Sequence, residues 1–190
     1  MSEEKLVRSL KSSGVDPMTR LKSALLALGT YDFVEKMVLE REVGHKRAKE
    51  LRAKIWSAFF QESAERYRKQ LGTDEVDIPT LGLIMKRLQE ENFSVVYEIE
   101  ENTPERHVGY MRTCPLWGDE FSLMRDAFGD RLRKDLFTPD NVYDISQIEV
   151  GSIIKKFKLA GRVSALLDNC VCLGGDPKLG CRIIFERKKR

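Results

Sequence analysis

The stretch SVVYEIEENTPERHVGYMRTC, residues 94–114, decides the predicted fold. Its first part alternates between apolar and polar side chains, which is typical of a strand with one buried face. Glu101 to Pro104 has the composition of a turn, and the segment from His107 to Cys114 returns as a second strand. The stretch therefore predicts an antiparallel hairpin, and it marks residue 92 as the point where the pattern changes.

The residues before this hairpin recur with the period of amphipathic helices. Asp16 is suited to cap the first helix, because its carboxylate can accept a hydrogen bond from the first-turn amides. Gly29 and Gly72 are predicted to end helices. The predicted helices run from Pro17 to Leu28, from about Tyr31 to Gly44, from about Lys46 to Leu71, and from Ile78 toward Leu88.

The residues after the hairpin predict both helices and strands. Helices are predicted over residues 116–128 and 146–157, on either side of a polar, irregular segment. Two closing strands, Arg162 to Leu173 and Cys181 to Arg187, are joined by turn residues. We therefore predict an α+β fold, in which a helical region (residues 1–92) packs on an antiparallel sheet with a cysteine-bearing closing hairpin (residues 93–190).

The composition fits one compact globular unit. The chain has 190 residues, of which 42% are apolar, too many for a disordered chain. Its net charge of +3 gives no concentrated basic face for nucleic acid, and we interpret the basic end, Arg187 to Arg190, as a solvated terminus. No apolar stretch is long enough to span a membrane and the first residues do not resemble a signal peptide. We therefore expect a cytoplasmic protein with neither a nucleic-acid nor a membrane partner.

The four cysteines are the strongest candidates for chemistry. Cys170 and Cys172 lie two residues apart on a predicted strand, so their side chains share a face with Asp168. If the closing hairpin pairs Cys172 with Cys181, those two lie directly opposite each other. Cys114 ends the earlier strand just before a predicted helix, whose first amides would lower the pKa of the thiol.

Four roles for these thiols remain open. They could be small core residues, or Cys114 or Cys172 could be a catalytic nucleophile. A cross-strand disulfide is a third role, which needs oxidising conditions. The fourth role is the binding of zinc or an iron–sulfur cluster by Cys114, Cys170, Cys172 and Cys181.

Other polar residues near Cys114 could assist a reaction. Asp119 and Glu120 lie about one helical turn after it and could act as acid and base. Arg112 shares a strand face with Cys114 and could hold a substrate carboxylate by a two-pronged contact. The predicted substrate-binding residues are Arg112, Tyr110 and Trp117.

The two histidines are weak candidates. His45 and His107 are the only histidines of the chain, which excludes a metal site with three histidine ligands. His45 is predicted at a helix junction and His107 near the start of a strand. We expect both to lie at the surface.

Two motifs resemble a known family. The segment Val108 to Pro115 resembles the strand with the pattern hydrophobic–x–Arg–x–Cys–Pro in the L-2-amino-thiazoline-4-carboxylic acid hydrolase-like family. The segment Cys172 to Pro177, followed by Cys181 to Glu186, resembles its closing cysteine hairpin. The stretch from Ile55 to Gly72 is similar to the helix that precedes the sheet there, so the likeness spans residues 40 to 187. The hairpin also resembles the 4-vinyl-reductase-type domains, which bind hydrophobic small molecules or act as sensors.

These resemblances imply different functions. The first implies a hydrolase that opens a small sulfur- and nitrogen-containing ring by adding water, cleaving a C–N or C–S bond of a cyclic amidine. It implies Cys114 as nucleophile or metal ligand, with Cys172 and Cys181 completing the patch and Arg112 holding the anionic substrate. The second implies a module without enzymatic activity that binds a metal, an iron–sulfur cluster or a small apolar ligand. A structural role, in which an exposed helix stripe pairs two copies into a homodimer, is a third interpretation.

Overall fold

The described residues form a layer of helices packed on one antiparallel sheet. The structure, a computed structural model, describes residues 14–93, 95–113, 139–169, 176 and 178–189. The predicted α+β fold is confirmed. The helices are α1 (Pro17–Val43), α2 (His45–Gln70), α3 (Ile78–Arg87), which a π-helical turn (Leu88–Asn92) extends, and α4 (Pro139–Lys156). The strands are β1 (Val96–Asn102), β2 (Arg106–Thr113), β3 (Val163–Asp168) and β4 (Cys181–Arg187).

The sheet has the strand order β1-β2-β4-β3, with every neighbouring pair antiparallel. β1 and β2 form the hairpin that the sequence predicts. Ile183 and Phe185 of β4 point toward the helices and are fully buried. The opposite face carries ion pairs such as that between Arg112 and Glu98, together with the buried pair Val108 and Ile184.

One hydrophobic core joins the helices to the sheet. Because the buried faces of α2, α3 and α4 and the inner face of the sheet all meet in it, the predicted helical and sheet regions share a single core. The burial of apolar side chains in this core supplies most of the favourable free energy of folding. The largest fully buried side chains of this core are Tyr67, Tyr97, Phe60, Phe185, Leu81, Ile84, Met85, Leu88, Ile153 and Ile183.

Two aspartates cap helices as their positions suggest. The carboxylate of Asp16 accepts a hydrogen bond from the Thr19 amide at 2.8 Å, as the sequence predicts for the start of α1. The carboxylate of Asp77 accepts one from the Thr80 amide at 2.9 Å at the start of α3. Each bond satisfies an amide that has no partner within its helix.

The predicted helix end at Gly29 is wrong, because α1 runs through this residue without a break. A glycine inside a helix costs only about 1 kcal/mol, and contacts on both sides outweigh that cost. Leu25 and Asp32, which flank Gly29, are both buried. Asp32 accepts a hydrogen bond from the Arg52 guanidinium of α2 at 2.7 Å. Packing on α2 therefore decides the length of α1.

Three other predicted bounds also differ from the structure. β3 ends at Asp168, with Asn169 outside the strand, rather than at Leu173. α4 begins at Pro139 rather than at about residue 146, within the segment predicted to be irregular. β1 continues to Asn102, through part of the predicted turn. The predicted helix over residues 116–128 lies outside the described residues. Among the described helices, none is both long and apolar enough to cross a bilayer.

Candidate functional site

The ends of β2 and β3 meet the start of β4 at one corner of the sheet. Met111 of β2 pairs with Cys181, and Asp168 of β3 pairs with Arg182. The Arg182 amide then donates to the Asn169 carbonyl at 3.3 Å. We call this region, from residues 110–113, 168–169 and 178–182, the sheet corner.

The sheet corner is tightly built. Gly180 has a φ of +71°, and a Cβ atom there would lie 2.6 Å from the Met111 carbonyl oxygen. The Asn169 side chain accepts a hydrogen bond from the Asp176 amide at 2.9 Å and donates to the Asp176 carbonyl at 3.0 Å. These contacts fix the segment that leads into β4, so the position of Cys181 is well determined.

The register observed between β3 and β4 is three residues away from the one that a regular hairpin pairing Cys172 with Cys181 would have. A pairing of Cys172 with Cys181 would set Asp168 opposite Phe185, whereas Asp168 pairs with Arg182. An odd shift moves side chains to the other face of a sheet. Cys181 consequently packs against the core beside Ile183, while the Asp168 side chain forms an ion pair with Arg182. The burial of β4's inner face is the physical reason for this register.

The predicted substrate-binding residues Arg112 and Tyr110 share a strand face, as the sequence indicates. The Arg112 guanidinium lies over the Tyr110 ring, with 4.3 Å between its carbon and the ring centroid. Its Nε donates to Glu98 at 2.7 Å, and its Nη1 donates to the Leu179 carbonyl at 2.7 Å. Arg112 therefore already has a carboxylate partner, which an anionic ligand would have to share or displace.

Several predicted site residues lie outside the described residues. The predicted nucleophile and the predicted acid–base pair are among them, so these roles remain predictions. Within the described ranges, no group of three or more histidine, cysteine, aspartate or glutamate side chains could hold a metal ion. The predicted residues that the structure does not describe are Cys114, Trp117, Asp119, Glu120, Cys170 and Cys172.

His107 is fully buried, so its predicted surface position is wrong. Its Nδ1 lies 2.9 Å from the Asn102 side-chain oxygen and its Nε2 lies 3.0 Å from the Tyr97 hydroxyl. A neutral imidazole satisfies both contacts by donating from Nδ1 and accepting at Nε2. Burial lowers the pKa of His107 to about 4, which keeps the ring neutral near pH 7. His45, in contrast, is exposed at the α1–α2 junction, where its Nδ1 lies 2.8 Å from Glu40.

Two glycines make room for this buried cluster of Tyr97, Asn102 and His107. A Cβ atom on Gly82 of α3 would overlap with the His107 ring and lie 2.7 Å from the Asn102 oxygen. A Cβ atom on Gly109 of β2 would overlap with the Tyr97 hydroxyl. Gly82 and Gly109 were the sequence signal that could have indicated this cluster, because a glycine inside a helix or strand often marks a place where another group approaches the backbone closely.

A second buried polar pair joins α4 to the π-helical turn. The Gln89 amide donates to the Glu149 carboxyl group at 2.6 Å, and both side chains are buried. Burial raises the pKa of Glu149 to about 8, although the hydrogen bond from Gln89 opposes this shift. Burial is also the main reason why the pKa of Tyr97 is raised, and the neighbouring Glu149 adds to it. Tyr97, His107, Gln89 and Glu149 are all buried, which favours a role of these two clusters in stability over one in catalysis.

The fold has a counterpart among solved structures. No protein-family model matches the chain, and no curated protein matches it at a significant level. The chain is similar to the crystal structure of a trafficking protein particle complex subunit 3 from Naegleria fowleri covalently bound to palmitic acid. That match has a TM-score of 0.51 and 12% sequence identity, and it covers 88% of this chain and 97% of the other. At this identity the likeness concerns the fold alone.

Proposed function

We propose that this chain is a subunit of a protein assembly and pairs with a second copy of itself through α1. The observation that carries the proposal is the outward face of α1, where Tyr31, Val34 and Val38 are 68%, 49% and 42% exposed. Their spacing of three and four residues places them on one stripe, which Ala24 and Ala27 extend. A continuous apolar patch of this kind marks an interaction site, whereas isolated exposed residues do not.

Contacts with α2 fix the direction of this stripe. Asp32, on the opposite face of α1, accepts hydrogen bonds from the Arg52 guanidinium at 2.7 Å and from the Trp56 indole at 3.2 Å. Buried ion pairs of this kind constrain orientation even where they add little net stability. The stripe therefore faces away from α2 and remains accessible on the outside of the helical layer.

The stripe is self-complementary in an antiparallel arrangement centred on Tyr31. Tyr31 lies seven residues from both Ala24 and Val38, and eleven from both Arg20 and Glu42. Ala24 of one copy would therefore face Val38 of the other, a small residue against a larger one. Arg20 of one copy would meet Glu42 of the other at each end of the stripe. Such two-fold, self-matching contacts are the usual basis of homodimers. The structural neighbour is described as the subunit of a complex, which supports the same kind of role through its fold.

Replacing Val34 with lysine is expected to convert dimers into monomers. An ammonium group buried in the centre of an apolar interface has no partner there, so we expect association to weaken by about a hundredfold or more. Light scattering after size-exclusion chromatography, across a dilution series, measures the mass of the particle.

A matched control separates this effect from a general effect of added charge. Leu83 on α3 is 39% exposed, so Leu83→Lys places the same charge on another exposed helical position. We expect this variant to keep the wild-type mass. A wild-type chain that stays monomeric at every concentration would contradict the proposal, as would a Val34→Lys variant that still dimerises.

We also propose, as a second function, that the sheet corner binds a small molecule through thiols. One observation favours it: Thr113 and Asn169 lie at the corner that holds Cys181, and they directly precede Cys114 and Cys170 in the sequence. The ligand would be a sulfur- and nitrogen-containing heterocycle that the protein hydrolyses, as the first resemblance implies. The alternative is a metal, an iron–sulfur cluster or an apolar molecule that the protein binds without turnover.

Replacing Cys114 with alanine tests this second function. With 2-amino-thiazoline-4-carboxylate as substrate, we expect ring opening to fall by about a hundredfold or more, because the nucleophile or the metal ligand is lost. Far-ultraviolet circular dichroism checks that the variant remains folded. Elemental analysis of anaerobically purified protein identifies bound zinc or iron. Full turnover by the variant would contradict the role of Cys114, and wild-type protein with neither turnover nor metal would exclude both the hydrolase and the metal site.

A further inference from the structure

A groove with a cavity volume of about 640 Å³ lies where the basic end of the chain meets the starts of α3 and β3. Its most buried lining residues are aliphatic, namely Ile78, Leu159 and Val163, and Val76 beside them is half-buried. Its exposed lining holds four cations and the two carboxylates Asp77 and Glu105. We call it the cationic groove and assign its rim to Arg162, Arg187, Lys188 and Lys189.

The basic residues of this rim carry more charge than the nearby carboxylates compensate. Asp77 is used in capping α3, and Glu105 lies 3.2 Å from the Arg187 Nε. Among the described residues, the other three cations of the rim have no carboxylate partner within ion-pair distance. These three are Arg162, Lys188 and Lys189. Asp77 keeps its negative charge while it caps α3, so the lining holds four cations and two carboxylates and has a net charge of +2. An anion would relieve the repulsion among the uncompensated cations.

The described residues of the basic end, Arg187 to Lys189, are exposed, as expected of a solvated terminus, but they are also bonded to the fold. The Lys188 amide donates to the Arg162 carbonyl at 2.9 Å, and the Lys188 ammonium donates to the Ala160 carbonyl at 2.7 Å. The Arg187 amide donates to the Glu105 carbonyl at 2.9 Å. These bonds hold the cations at the groove rather than leaving them on a free tail.

The two amides where β3 begins are already paired, so an extended peptide cannot bind there through them. The Arg162 and Val163 amides both donate to the Leu159 carbonyl, at 2.8 and 2.9 Å. A peptide that adds a strand needs unpaired backbone groups, and these amides offer none. The groove instead offers an aliphatic floor and side-chain charges.

We propose that the cationic groove binds a single-chain anionic amphiphile. The alkyl chain lies on the aliphatic floor, and the carboxylate or phosphate head group pairs with Arg162, Lys188 and Lys189. A cavity of a few hundred cubic ångströms is the usual size of a small-molecule site, and apolar walls with a few placed charges are its usual composition.

Isothermal titration calorimetry with monomeric dodecyl phosphate tests this proposal. We expect saturable binding that weakens as salt is added, because the head group is held by exposed charges. Dodecanol, which has the chain without the charge, and inorganic phosphate, which has the charge without the chain, are each expected to bind at least about tenfold more weakly.

Two variants and one matched control complete the test. We expect the double variant Arg162→Gln/Lys189→Gln to bind dodecyl phosphate about tenfold or more weakly. Val76→Asp, which puts a charge on the floor, is expected to have a similar effect. The control, Lys54→Gln/Lys155→Gln, removes two cations from a separate groove between α2 and α4 and should leave binding unchanged.

Several results would overturn the proposal. One is equal binding of dodecyl phosphate by the wild type and both groove variants. Others are binding of phosphatidylserine vesicles without binding of monomeric dodecyl phosphate, which would indicate a membrane surface, and tighter binding of hexaglutamate, which would indicate an acidic peptide. Absence of any binding by the wild-type chain would overturn it directly.

Discussion

Replacing Gly109 with alanine is expected to destabilise the protein by about 3 kcal/mol or more. The added methyl group would overlap with the hydroxyl and ring of Tyr97. The Tyr97 ring is buried and hydrogen-bonded to His107, so moving it would leave a buried polar group without its partner. The strand cannot move either, because Gly109 pairs with Ile99 on one side and Ile183 on the other. Urea unfolding followed by circular dichroism measures the loss.

Gly151 provides the matched control for this substitution. It lies exposed on α4, and a Cβ atom there meets nothing within 4 Å. Gly151→Ala is therefore expected to stabilise the helix by up to about 1 kcal/mol. If Gly109→Ala unfolded at the same midpoint urea concentration as the wild type, the Tyr97 side chain would not lie against Gly109 in the folded protein.

The helices and strands whose apolar residues recur at a regular spacing could be predicted from the sequence. The β1–β2 hairpin, α2 and β4 follow from local patterns, because their apolar residues recur at the spacing of one buried face. The length of α1 could not be predicted in this way. There the contact of Asp32 with Arg52, twenty residues away in the sequence, outweighs the local tendency of Gly29 to end a helix.

The buried position of His107 also depends on contacts that a local pattern does not contain. An irregularity between Ile99 and Glu101 shifts the register of β1 by one residue. This bulge changes the alternation of side chains, so that Asn102 comes to lie beside His107. Side chains do not alternate regularly through a bulge, so the sequence pattern does not show that Asn102 and Tyr97 are hydrogen-bond partners of His107. Without such partners a buried histidine is unfavourable.

The cysteine site was predictable in part. The sequence correctly placed Tyr110 and Arg112 on one strand face and placed Cys181 at the start of a strand. It did not fix the register of the closing hairpin, because the turn-rich connector allows several lengths of turn. The face of Cys181 follows from the burial of Ile183 and Phe185, which only the packed helices determine.

The free energy of unfolding is expected to fall by about 2 kcal/mol between about pH 6.5 and pH 8, because of Glu149. Burial raises the pKa of this carboxyl to about 8, above the value of 4.5 expected when unfolded. Between these two values the folded chain holds a proton that the unfolded chain has lost. Stability therefore decreases as the pH rises through this window, and it becomes level above the folded pKa.

His107 has the opposite effect at lower pH. Its pKa is lowered to about 4 from the ordinary value of 6.5, so in this window the unfolded chain binds the extra proton. Stability from His107 therefore rises with pH up to about 6.5. Between about pH 4.5 and 6.5, His107 raises the free energy of unfolding with pH while Glu149 lowers it. Above about pH 6.5 only the decrease from Glu149 remains.

Glu149→Gln is expected to abolish the decline. The glutamine cannot ionise, and its side-chain oxygen can still accept the hydrogen bond from Gln89. We expect the variant to match the wild type near pH 5 and to exceed it by up to about 4 kcal/mol at pH 8. Urea unfolding at a series of pH values measures both curves. Glu100→Gln, at an exposed position of β1, is the control and should follow the wild-type curve. If the stability of Glu149→Gln decreased above pH 6.5 as steeply as that of the wild type, a group other than Glu149 would cause the decrease.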